Sequence, residues 1–265
     1  FDARKAQLMV VYIVDIRLHH PEREASLLAQ HANHPHIQAT PDMRWRPPVQ
    51  AGAEWAGERP VVVGFGPCGM LAALVLAQMG FKPIVLERGK TVRERTKDTW
   101  RLWRKRELTP ESNVQYGEGG AGTFSDGKLY SQVSDPRHLG RKVLEELVQA
   151  GANPEILVLH RPHIGTFKLA TVVRGLRAQI EALGGEIRFQ QKVSDLLIEP
   201  GQDGQLLLAQ ARHAPRPGAA SARSTAATST FGAQNNLPAL DNRTARHCKY
   251  TGLVTETSDA AVARL

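Results

Sequence analysis

Apolar residues fall into short blocks whose spacing alternates between strand-like and helix-like along much of this 265-residue chain. The first block, "LMVVYIVDIRL" at 8–18, is rich in β-branched and aromatic residues and predicts a strand. A short helix is expected over 21–31, followed by a proline-rich linker at 32–59, draped over a surface and pinned by Trp45 and Trp55. From Pro60 the rhythm sharpens. Val61 to Val63 predict a strand, Met70 to Met79 a helix stopped by Gly80, and Ile84 to Leu86 a second strand ending at Glu87. Residues 91–108 are densely charged and read as a helix with a narrow apolar stripe that includes Trp100 and Trp103. Leu139, Val143 and Leu147 recur at helical spacing with Gly151 as the end signal, and "ILVL" at 156–159 reads as a strand. A helix over 169–183 and strands at "EIRF" and "DLLIEP" complete the pattern. Strand, glycine turn, helix and second strand open a doubly wound parallel sheet. The fold class is therefore α/β. A Rossmann-like domain at 60–203, incomplete, follows a partial small α+β module at 1–31, whose beginning is expected to be missing.

Composition changes the picture at the end of the chain. Residues 211–230 are dominated by Ala, Ser, Thr and Arg, with no apolar residue larger than Ala apart from two prolines, so they offer little surface to bury. The whole of 204–265 is expected to be an atypical, disordered tail. The formal charge of +8 favours anionic partners, but part of that excess sits between Gly204 and Leu240, where no Asp or Glu occurs. Cys68 and Cys248 supply neither a disulfide framework nor metal-ligand spacing, which suits a reducing compartment. No apolar run approaches the roughly 20 residues that span a bilayer, so no membrane partner is expected.

Two glycine-rich segments carry the chemistry. Gly64, Gly66 and Gly69 form GxGxxG between a predicted strand and a predicted helix. In that setting the first glycine makes the turn and the second admits a pyrophosphate, while the third lets the helix pack closely. Glu87, at the end of the next strand, is placed to accept ribose hydroxyls and disfavours a 2′-phosphate, which leaves FAD or NAD. The second segment, "GEGGAGTFSDGKLY" at 117–130, is a bare loop suited to passing along a cofactor, with tight packing against the sheet as the alternative. Cys68 reads as a small filler of the first turn. Ser125, Asp126 and Lys128 are polar groups without an acid–base partner fixed by spacing. His160 and His163, flanking Pro162, read as polar surface, with a site role as the alternative. His31, His34 and His36 lack fixed metal geometry, so no metal site is expected. Trp100 and Trp103 are expected to seal their helix onto the domain, leaving Arg101, Arg104, Lys105 and Arg106 solvated; nucleic-acid binding is the disfavoured alternative.

"ERPVVVGFGPCGMLAALVLAQMGFKPIVLERGKTVRERTKDTW", "NVQYGEGGAGTFSDGKLYSQ", "DPRHLGRKVLEELVQAGA" and "PHIGTFKL" resemble the bacterial family of FAD-dependent dehydrogenases, within the glutathione-reductase-type flavoprotein fold. The resemblance covers roughly residues 3–200. It implies a cytoplasmic oxidoreductase that binds FAD and moves a hydride or electrons to an unidentified small molecule, with NAD(P)H as a candidate reductant. Its cofactor contacts fall here on Gly64, Gly66, Pro67, Gly69, Glu87 and Arg88 and on Gly117, Gly119, Gly120, Ala121 and Gly122, with no catalytic residue assigned. The family's sequence begins before the counterpart of Phe1. It also continues past the counterpart of Glu199, so the tail here is expected to be a truncated or frame-shifted ending. A nucleic-acid-associated flavoprotein or a non-enzymatic dinucleotide-binding fragment is the alternative.

Overall fold

The computed structural model describes residues 11–52, 55, 57, 59–131, 133–200, 206–214 and 253–256. It divides into two units, residues 1–44 and 45–265. In the first unit a 3-10 turn, Pro21–Arg23, leads into helix α1, Glu24–Gln30. The strand expected at 8–18 is not formed over its described part, 11–18. Val11, Tyr12, Ile13, Val14 and Ile16 are exposed there, and no described segment pairs with them. A strand without a ladder partner leaves its backbone groups to solvent, so side-chain propensity alone does not establish one.

The second unit is α/β. Strands β1 (Arg59–Val63), β2 (Ile84–Glu87) and β3 (Glu186–Phe189) lie parallel in the order β3-β2-β1. Val62 faces Val85, and Val85 faces Ile187. Helix α2 (Pro67–Gln78) connects β1 to β2. The long connection from β2 to β3 contains α3 (Val92–Lys105), α4 (Leu139–Gln149) and α5 (Thr166–Ala182). Strands β4 (Lys192–Pro200) and β5 (Leu206–Ala214) form a separate antiparallel pair, and β6 (Leu253–Glu256) lies antiparallel to β1. Two stretches of the 204–265 segment expected to be without order are therefore strands. Leu206, Leu207 and Leu208 supply a short apolar run opposite β4 that the composition of the segment as a whole conceals. Residues 201–205, 215–252 and 257–265 lie outside the described part, as does Cys248.

Local sequence accounts for the helix ends. α2, α4 and α5 each stop at a left-handed glycine: Gly80, Gly151 and Gly184. In each case the residue after the glycine donates back to the carbonyl five positions earlier, as in Phe81 N to Leu76 O. The "ILVL" strand is replaced by a 3-10 turn, Pro154–Leu157. The Asn153 side chain accepts from Glu155 N, so turn chemistry wins over a four-residue apolar run. Ile156 is buried and Val158 exposed as a result.

The core joins Val62, Phe65, Leu74 and Val85 to Leu147, Val172, Leu176 and Ile180, so α2, α4 and α5 share one apolar interior with the sheet. One polar tie crosses it: Gln78 on α2 donates to Glu146 on α4, and Lys142 pairs with the same carboxylate. The expected linker is held at three places in this unit, the first being Trp45, whose ring lies under Lys142 Nζ at 4.8 Å. Ala51 N donates to Met79 O, and the Trp55 ring stands edge-on to Phe81.

The approach of α5 to the end of α4 depends on Gly175. A Cβ there would lie 2.4 Å from the Ala150 carbonyl oxygen, a backbone atom with no rotamer to yield. Gly175→Ala is expected to lower stability by about 1–3 kcal/mol despite its better helix propensity, read as a lower urea midpoint.

Candidate functional site

Residues 64–66 form the turn between β1 and α2, two of the three being glycine. Gly64 has φ +89°, and a Cβ built on it would meet nothing within 4 Å, so the turn opens onto free space. Gly69 serves packing instead: its Cβ would lie 2.1 Å from the Gly64 oxygen. Gly66 is the N-cap of α2 and Pro67 its first residue, and no side chain caps this helix end. The N-terminal N–H groups and the positive end of the helix dipole thus face the opening.

The opening is a cavity of about 390 Å³. Gly64, Gly66, Pro67, Gly69, Glu87, Arg88, Gly117 and Gly120 line it, and so bring most of the expected contact residues together. Gly119, Ala121 and Gly122 do not line it. Cys68 is exposed on its wall rather than packed as a filler, because the helix start faces outward there. Gln115, Tyr116, Gln191, Lys192 and Val193 join the wall from distant parts of the chain and carry no local sequence signal of that role.

Glu87 is buried at the end of β2. Phe65 N donates to its Oε2 at 2.7 Å and Gly89 N to its Oε1 at 2.6 Å. Each oxygen keeps a further lone pair, so the carboxylate can hold the turn and still accept a hydroxyl. Beside it Arg88 lies flat on Tyr116, 3.7 Å from the ring centre. Glu111 fixes this arrangement by accepting from Arg88 Nε at 2.7 Å and Lys192 Nζ at 3.0 Å. Burial works to raise the Glu111 carboxyl, but the hydrogen bonds from Lys192 and Arg88 prevail and hold it below the ordinary carboxylate value.

The second glycine loop is shaped largely by the protein itself. A Cβ on Gly117 would lie 2.5 Å from Arg95 Cδ, and one on Gly120 would lie 3.0 Å from the Gly66 Cα. Gly119 N donates to Phe65 O at 2.8 Å, which fastens the loop to the first turn. Tight packing therefore explains Gly117, Gly119 and Gly120, while Gly117 and Gly120 also face the cavity.

Arg95 is the centre of this packing. Fully buried, it donates to the carbonyls of Asn113 (2.7 Å), Val114 (2.6 Å) and Glu118 (2.7 Å), with longer bonds to Gly117 O and Thr123 Oγ1. Burial lowers its pKa to about 10, with the Glu87 and Glu118 carboxylates acting in the opposite direction. Glu118 is also buried and accepts from Val92 N at the start of α3. Desolvation raises its pKa, against the opposing effects of the Val92 N–H and of Arg177, whose Nε lies 3.3 Å away.

This changes the reading of α3. Its buried residues are Val92, Arg95, Asp98 and Thr99, whereas Trp100 and Trp103 are 47% and 54% exposed. The two indoles do not seal the helix onto the domain, because the polar face is the one that the 111–124 loop needs. They lie edge to face, Trp103 also meets Phe124, and Arg104 stacks over Trp100.

No family model matches the chain. A protein of Clostridium beijerinckii described as uncharacterized is 47% identical over 154 residues, which is 58% of this chain and 28% of that protein. The match thus spans less than a third of the relative's length. Among the described residues no helix is long and apolar enough to cross a membrane.

Arg95→Lys keeps a charge but loses the guanidinium fork. It is expected to cost about 3 kcal/mol or more and to speed amide exchange across 113–124. A loss below about 1 kcal/mol would mean that other contacts order the loop.

Proposed function

We propose that this chain is the FAD-binding portion of a flavoprotein oxidoreductase with a Rossmann-like nucleotide-binding domain. One observation carries the reading: the uncapped start of α2 and the Glu87 carboxylate face the same cavity across a glycine turn. Its volume of about 390 Å³ is within the usual range of small-molecule sites and suits the adenosine–diphosphate end of a dinucleotide. The amides of Gly66 and Gly69 and the α2 dipole hold the diphosphate, those of Gly64 and Phe65 being bonded to Leu86 O and Glu87. Glu87 accepts ribose hydroxyls with its remaining lone pairs, which disfavours a phosphorylated ribose. Arg88, kept flat by Tyr116 and Glu111, offers its outer face to the base. Bound FAD supplies the redox centre that accepts and passes on a hydride or electron pair; the chain supplies orientation and charge. The parallel β3-β2-β1 order and the likeness of the two glycine segments to the FAD-dependent dehydrogenase family support this assignment.

Purified protein, stripped of nucleotide, is expected to bind FAD with quenching of the flavin emission, and ADP is expected to compete. Arg88→Ala should weaken ADP by roughly fivefold, the size of one cation–π contact of about 1 kcal/mol. NAD binding that displaces ADP, with no FAD binding, would mark a NAD domain instead. A folded chain that binds none of the three would remove the proposal.

The exposed Trp100 and Trp103 favour a second reading, in which α3 contacts single-stranded nucleic acid through stacked indoles and neighbouring arginines. It predicts quenching of tryptophan emission by single-stranded RNA, weakened by salt and by Arg104→Glu. Absence of quenching at low salt would eliminate it.

A further inference from the structure

Downstream of the glycine loop two segments of chain run antiparallel. Leu129 N donates to Pro162 O, Ile164 N to Gly127 O and Gly165 N to Asp126 O, each at 3.0 Å, and Lys128 pairs with His163. The alternation of such a ribbon separates its two faces. Gly127 and Pro162 are buried, and Leu129 and Ile164 pack on the core. Asp126, Lys128, Tyr130, Arg161 and His163 fall on the opposite face and are exposed. We propose that this polar face binds an oxyanion, the carboxylate or phosphate of a small-molecule substrate.

The charge balance points that way. Asp126 Oδ2 lies 3.4 Å from Lys128 Nζ and 3.8 Å from His163 Nδ1, so the one carboxylate of the face is shared by its lysine and histidine. Arg161 has no carboxylate partner among the described residues and instead stacks over Tyr130, 5.5 Å from the ring centre. A hollow of about 440 Å³ opens among Tyr130, Ser131, His160 and Arg161, where hydroxyl, imidazole and guanidinium groups meet. An anion bound there would gain charge-assisted hydrogen bonds with a geometry that a guanidinium favours. The ribbon also ends where α5 begins, at Gly165, another helix start without a side-chain cap.

Position relates the near end of the ribbon, at Asp126, to the cavity; the hollow lies at its far end. A Cβ on Gly122 would lie 3.5 Å from Pro67 Cγ at the start of α2, and Asp126 follows four residues later. Four residues reach at most about 14 Å, so the ribbon begins close to the nucleotide turn. The substrate role rests on the flavoprotein reading; the anion site itself does not.

The test uses the whole chain with its histidine rings isotopically labelled, the His160 and His163 signals being assigned by His160→Gln and His163→Gln. Inorganic phosphate and succinate are titrated in separate arms. The expected result is saturable movement of both signals with at least one probe, and the responding arm identifies the oxyanion. Arg161→Gln and Lys128→Gln should each weaken that response at least fivefold while circular dichroism and FAD affinity stay unchanged. No saturable movement with either probe, or a response that both variants leave intact, overturns the proposal. Loss of FAD binding with the anion response retained would instead count against the flavoprotein reading alone.

Discussion

A single buried guanidinium organises the site. Arg95 leaves α3 and satisfies the backbone carbonyls of Asn113, Val114 and Glu118, while Asn113 N and Gly120 N pair Tyr116 O and Gly117 O within the loop. Removing a charge from water is costly, and the cost is met by a full set of directed acceptors, by nearby carboxylates and by the Phe124 ring. The glycine loop gains one shape by this means. That shape presses Gly117 against Gly89 and Gly120 against Gly66, and so forms one wall of the cavity.

The opposite wall depends on a different economy of polar groups. Glu87 uses one lone pair of each oxygen on the turn and the strand end, which leaves a pre-positioned acceptor rather than a free carboxylate. Glu111 does the same for cations, holding Arg88 and Lys192 in place at the rim. Both carboxylates are fixed before any ligand arrives, so little ordering entropy would remain to be lost on binding. Pre-organisation of this kind sets the cavity apart from the ribbon at 126–130 and 161–165. There the polar groups lie farther apart and more exposed.

Much of the fold was legible because its signals are local. The Val61 to Val63 strand, the glycine turn, the helix after it and the strand ending at Glu87 follow from periodicity and turn chemistry within thirty residues. Helix ends at Gly80, Gly151 and Gly184 are legible for the same reason, since a left-handed cap favours glycine wherever it occurs. The failures are equally physical. Residues 11–18 have strand composition without a strand partner, and "ILVL" has strand composition behind an Asn-Pro turn. The second glycine loop looked like a cofactor wall, but much of its glycine content answers to Arg95, Thr123 and Gly66.

By itself the sequence determined the α/β rhythm, the parallel pairing of β1 and β2, and the conjunction of GxGxxG with Glu87. Each is encoded by neighbours close along the chain. Tertiary structure decided which face of α3 is buried, which glycines meet the cavity, and that Arg88, Glu111 and Lys192 converge on it. It also brought Lys128 opposite His163. Periodicity reports only whether a residue can be buried, whereas the burial of Arg95 depends on carbonyls supplied by another segment. Such a partnership exists only once the chain has closed on itself.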